Sequence, residues 1–125
     1  MVNWYAGWSL ILAAFASGAI IGLFFHRPGF LGGHDALRRR MVRLGHTAFA
    51  ALGMLNILFS LAPMPPELTP AMHMPNASVT LIVGGITMPL VCFLTAWKPP
   101  FRHLFFIPVT ALCAGVIGVL VKGLP

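Results

Sequence analysis

Residues 4–25 contain no Asp, Glu, Lys or Arg, and that uninterrupted run constrains the fold more than any other feature. At 1.5 Å per residue, a helix of this length crosses the ~30 Å hydrocarbon core of a bilayer. Three more apolar runs follow, at about 45–61, 77–97 and 104–121. Of the 125 residues, 58% are hydrophobic and 8% charged. A soluble domain has about 25% charged residues, so this chain lacks the polar surface to coat a globule in water. The sequence predicts an all-α, polytopic membrane protein: one membrane domain, 1–125, folded as a four-transmembrane-helix up-down bundle.

The charges fall between the runs. Arg27, Arg38, Arg39, Arg40, Arg43, Lys98 and Arg102 lie after the first and third runs, and Lys122 is the remaining basic residue of 8. The 2 acids are Asp35 and Glu67. By the positive-inside rule, loops 26–44 and 98–103 are expected in the cytoplasm and both termini outside, in a bacterial inner membrane. The net charge of +6 then reflects topology, and nucleic acid is not an expected partner. Trp4, Tyr5 and Trp8 stand where amphipathic rings favour the headgroup level. The first run reads as a retained span and not a signal peptide, because residues 1–4 carry no Lys or Arg and the run is too long.

Asp35 is placed to N-cap a basic helix over 36–44 that continues into the second span. Pro63, Pro65 and Pro66 then stop it. Residues 25–30 and 96–101 echo each other as an aromatic or small stop, a basic residue and proline, which common turn chemistry also explains.

In lipid, helices associate through close approach at small residues and through hydrogen bonds. Small or polar stripes are present in every span: Gly7, Ala14, Gly18 and Gly22; His46, Ala50, Gly53, Asn56 and Ser60; Thr80, Gly84, Thr87 and Thr95; Ala111, Gly115 and Gly118. Leu52, Leu55 and Phe59 are expected on the other side of the second span. The residues singled out for packing are Gly18, Gly22, Gly53, Asn56, Gly84, Gly115 and Gly118. Pro89 frees the carbonyl of Gly85, and Asn56 is expected to satisfy polar backbone near it. Pro108 falls near the start of the fourth span, where its cost is low.

Histidine is the most informative residue type for chemistry. Of the 5 histidines, His26, His34, His46 and His103 fall on the basic side. If the second and fourth spans are diagonal neighbours, His46 and His103 face each other across the core, with His26 in the same layer. Paired imidazoles on facing helices hold b-type haem, and two or three hold a metal. The competing reading, ranked first, is interfacial histidine bonded to loop carbonyls or lipid phosphates, with no cofactor. Arg43-Leu44-Gly45-His46, entering a glycine-rich helix, resembles segments of small b-haem membrane proteins.

Met72, His73 and Met74, with Met64 nearby, offer soft ligands of the kind that suit Cu(I). Partial burial against a neighbouring subunit ranks above copper. Arg38, Arg39, Arg40 and Arg43 form a juxtamembrane strip suited to anionic lipid headgroups, and a quinone head or phosphate ranks below that. Cys92 and Cys113 read as buried small hydrophobes. No Asp, Glu, Lys or Arg lies well inside any span, which disfavours a proton-coupled exporter. No hydrolase or nucleotide-binding constellation appears, so no enzyme is expected.

The first-ranked function is a small accessory or structural subunit of a larger, bioenergetic membrane complex of the electron-transfer, photosynthetic or respiratory type. Its expected partners are membrane lipids and other membrane-protein subunits. The second is a haem or metal electron-transfer protein using His46 and His103. The third is an oligomeric small transporter or channel lined by Asn56, Ser60, Thr80 and Thr87.

Overall fold

The computed structural model describes residues 1–33, 35–63 and 70–122. His34, Met64 and Glu67 lie outside the described residues. The described chain is helical, without strands: α1 (Val2–Phe25), α2 (Leu37–Ser60), a short α3 (Pro70–His73), α4 (Pro75–Trp97) and α5 (Phe106–Lys122). A 3-10 turn (Phe30–Gly32) follows α1, and a longer one (Pro99–Phe105) leads into α5. Four helical segments, α1, α2, α4 and α5 with its 3-10 lead-in, are long and apolar enough to cross a membrane. That is the architecture of an integral membrane protein.

The basic helix and the second span are one continuous α2, as expected, because nothing between Leu37 and Ser60 breaks it. Its cap differs from the expectation. Ala36 occupies the N-cap position and contributes no side-chain bond. Asp35 is instead exposed and sits 3.8 Å from Arg40. The chain reaches α2 through Leu31, Gly32 and Gly33, all at positive φ (52°, 89° and 97°). Glycine tolerates that geometry freely, whereas Leu31 is an uncommon occupant.

The helices pack as a row: α1 on α2, α2 on α4, and α4 on α5, with a smaller contact between α1 and α4. The two middle helices therefore have two packed faces each, where the sequence suggested a single inward stripe. On α2, Gly53 meets α1, while Phe59 joins Met74, Ala77 and Leu81 in the apolar core. On α4 the neighbouring glycines divide the work. A methyl group on Gly84 would stand 2.5 Å from Leu112 of α5, and one on Gly85 would stand 3.1 Å from Leu10 of α1 and 3.2 Å from Asn56 of α2.

Gly7 and Gly53 mark the crossing of α1 and α2. A methyl on Gly7 would lie 2.7 Å from the Gly53 carbonyl, and one on Gly53 2.8 Å from the Gly7 carbonyl. Gly115 and Gly118 of α5 lie against Leu81 and Ala77 of α4. Gly22 is the exception among the packing residues: it is exposed and nothing stands within 4 Å of it. α2 still reaches α1 beyond it, at Phe25, so Gly22 is turned away from α2, whereas Ile21 and Phe25 on either side of it are half-buried. Cys92 is buried and Cys113 exposed, both as free thiols.

Candidate functional site

Two polar centres sit at opposite ends of the row. At the end where α1 begins, Asn3, Asn56 and Ser78 come together from α1, α2 and α4, each at most 5% exposed. Asn3 Nδ2 donates to Asn56 Oδ1 at 2.9 Å and to the Ser78 carbonyl at 3.2 Å. Ser78 Oγ donates to Asn3 Oδ1. Asn56 Nδ2 donates to the Leu52 carbonyl at 2.9 Å and to the Leu81 carbonyl at 3.3 Å. The amide hydrogens of both asparagines are thus taken, which is what burial in an apolar bundle demands. Asn56 does serve polar backbone of α4 beside Gly85, but it bonds the Leu81 carbonyl, one turn from the carbonyl that Pro89 frees. The sequence reading missed Asn3 and Ser78. Both lie near the starts of their spans, where a polar residue reads as flank.

At the opposite end, consecutive arginines at the start of α2 reach in different directions. Arg38 Nη2 donates to the Trp97 carbonyl at 3.3 Å, and Arg39 Nη2 to the Phe25 carbonyl at 2.7 Å. These are the last helical residues of α4 and α1. Cations at carbonyl ends complement the helix dipole and occupy otherwise orphan acceptors. Aromatic faces receive the remaining charge. Arg39 stands 4.0 Å and Arg43 5.8 Å from the Phe25 ring centroid, Arg27 5.4 Å from Phe24, and Lys98 5.1 Å from Trp97. The echoed stops after α1 and α4 thus share a device, a cation over the aromatic residue that ends the span. Arg39 is 1% exposed, whereas Arg38, Arg40 and Arg43 are exposed.

His46 is half-buried on the α1 side of α2. Its ring occupies the space that Gly18 leaves open, with Cε1 2.7 Å from where a methyl would be. Its Nδ1 lies 3.1 Å from Ser17 Oγ, and that hydroxyl also bonds the Ala14 carbonyl at 3.1 Å. Ser17 has one proton; given to Ala14, it leaves Nδ1 as the donor to Oγ and Nε2 with a free lone pair. His103 is exposed in the 3-10 turn before α5, and His26 is exposed beyond α1. The row order seats α4 between α2 and α5 and turns His46 to α1. The facing His46–His103 pair, expected if the second and fourth spans of the four-helix bundle are diagonal neighbours, is therefore not formed. Among the described residues, no group of three or more His, Cys, Asp or Glu is placed to hold a metal ion.

The Met72-His73-Met74 triplet is divided. Met74 is 2% exposed in the apolar core, while Met72 and His73 face outward. Asn56 is closed within its network, and Ser60, Thr80 and Thr87 each bond a carbonyl of their own helix. A cleft of about 260 Å³ beside Leu81, between α2 and α5, is lined by apolar residues such as Leu55, Phe59, Val116 and Val119. No family model, no curated protein and no solved structure matches the chain.

Proposed function

We propose that this protein is a small, non-catalytic subunit of a larger membrane assembly of bioenergetic type. It lies in a bacterial inner membrane with loops 26–44 and 98–103 in the cytoplasm and both termini outside. The observation that carries the reading is the open row. The two outer spans are each only 11% buried, against 44% for α4, and both turn small residues outward: Ser9, Ala16 and Ala19 on α1, and Thr110, Cys113 and Ala114 on α5. Small residues on a lipid-facing surface are where a further helix approaches closely. The Asn3–Asn56–Ser78 network supports the same reading, because its polar groups are occupied in holding α1, α2 and α4 together.

The test is substitution on those outward faces. Ala16→Leu and Ala114→Leu leave the isolated fold unaffected, since both positions face away from it, and loosen co-purification of neighbouring subunits from gently solubilised membranes. Unchanged recovery of partners with both variants argues against docking through these helices.

One observation favours the haem reading as a second candidate. Ser17 Oγ lies 3.1 Å from His46 Nδ1, and in the tautomer whose Nδ1–H donates to Ser17, Nε2 is the nitrogen left for a metal. With His103 turned elsewhere, the other axial ligand comes from another chain or is absent. A Soret band lost in His46→Ala and retained in His103→Ala supports this version. A purified assembly whose absorbance is the same with and without His46 removes it.

A further inference from the structure

Arg39 is the third residue of α2, it is 1% exposed, and it is incompletely paired. Nη2 serves the Phe25 carbonyl, but Nε and Nη1 are enclosed and have no hydrogen-bond partner. Arginine does not lose its proton in proteins, so the charge stays. The Phe25 ring face, 4.0 Å from the guanidinium, answers part of that charge but accepts no hydrogen bond from Nε or Nη1. Asp35, the acid among the described residues, lies beside the exposed Arg40. A buried guanidinium with unpaired donors and no counter-ion among the described residues calls for an oxyanion from outside.

The surroundings select phosphate. Arg39 sits against Phe25, where the apolar run of α1 ends, and Arg38, Arg40 and Arg43 add positive charge near it in the chain. The first turn of α2 has no side-chain cap, so its backbone N–H groups also favour an anion. Phe24, Leu37 and Leu44 are exposed apolar residues close by in the chain, suited to acyl chains.

We infer that Arg39 anchors a phosphate group between the last turn of α1 and the first turn of α2, and that an anionic phospholipid supplies it. One hydrogen of Nη2 stays on Phe25; the phosphate oxygens bridge its second hydrogen and a neighbouring guanidinium nitrogen. Because Nε and Nη1 are enclosed, loading requires the Phe30–Gly32 turn, which packs on α2, to shift. This inference stands apart from the assembly reading, since it concerns the isolated chain.

The test uses the full chain in neutral detergent, delipidated and then titrated with phosphatidylglycerol, phosphatidylcholine or inorganic phosphate. Adducts are read by native mass spectrometry and stabilisation by thermal unfolding. Phosphatidylglycerol is expected to give one retained adduct and a raised Tm. Arg39→Lys keeps the charge but loses the planar fork, and weakens that binding about tenfold. Arg40→Gln, on an exposed cation, changes it by less than about threefold.

Stabilisation by inorganic phosphate with the same dependence on Arg39 keeps the site and assigns it to free phosphate; an effect of phosphatidylglycerol alone assigns it to lipid. Equal binding by wild type and Arg39→Lys overturns the proposal. So does the absence of any phosphate effect, which points to a partner's carboxylate as the counter-ion.

Discussion

Asn56 ties three helices together, because it joins Asn3 of α1 to the backbone of α4. Replacing it by Ala leaves Asn3 and the Leu81 carbonyl without those bonds in an apolar interior. We expect a loss of about 1–2 kcal/mol, the scale of interhelical hydrogen bonds in membranes. Asn3→Ala costs a similar amount. The double variant costs less than the sum, because the two residues share one network. Reversible unfolding in mixed micelles measures all three; strict additivity contradicts a shared network. Asn56 was legible as inward because its span carries a small and polar stripe. Its partner Asn3 was not, since pairing across 53 positions depends on which helices are neighbours. The same limit hid Arg39. Four basic residues close together reveal a strip, not which one turns inward against Phe25.

At the scale of elements, glycine sets the distances between helices. Gly7→Leu or Gly53→Leu forces α1 and α2 apart at their crossing, where the obstacle is backbone, and is expected to cost about 1–3 kcal/mol. Gly22→Leu is the matched control, because that position is open, and should stay within about 0.5 kcal/mol. A comparable loss at Gly22 means that α1 is packed along its full length. The positions of the spans were readable, because uncharged runs in a chain this apolar leave little choice. The continuity of α2 was readable too, since no Gly-Pro punctuation separates Arg43 from His46. The number of packed faces was not. A stripe identifies a face that approaches something, but α2 and α4 each contact two neighbours, and Leu55 and Phe59 pack on the side expected to be open. Asp35 misled for a local reason. Its spacing suits a cap, yet the chain enters α2 one residue later, and the carboxylate is nearer Arg40.

For the whole molecule, the row has consequences for topology and for assembly. With the basic residues gathered at one end, a reporter active only outside the cytoplasm, fused after Lys122, is expected to be active, and one inserted at Gly33 inactive. The reverse pattern contradicts the orientation. The row also leaves α1 and α5 each packed chiefly against one neighbour, and a subunit of a larger assembly uses those faces. A native mass spectrum of the protein, extracted gently from its own membrane, tests this most directly. The account predicts a defined, stoichiometric complex dominated by the mass of other subunits. A bare monomer or a homo-oligomer under conditions that keep known membrane complexes intact would contradict it.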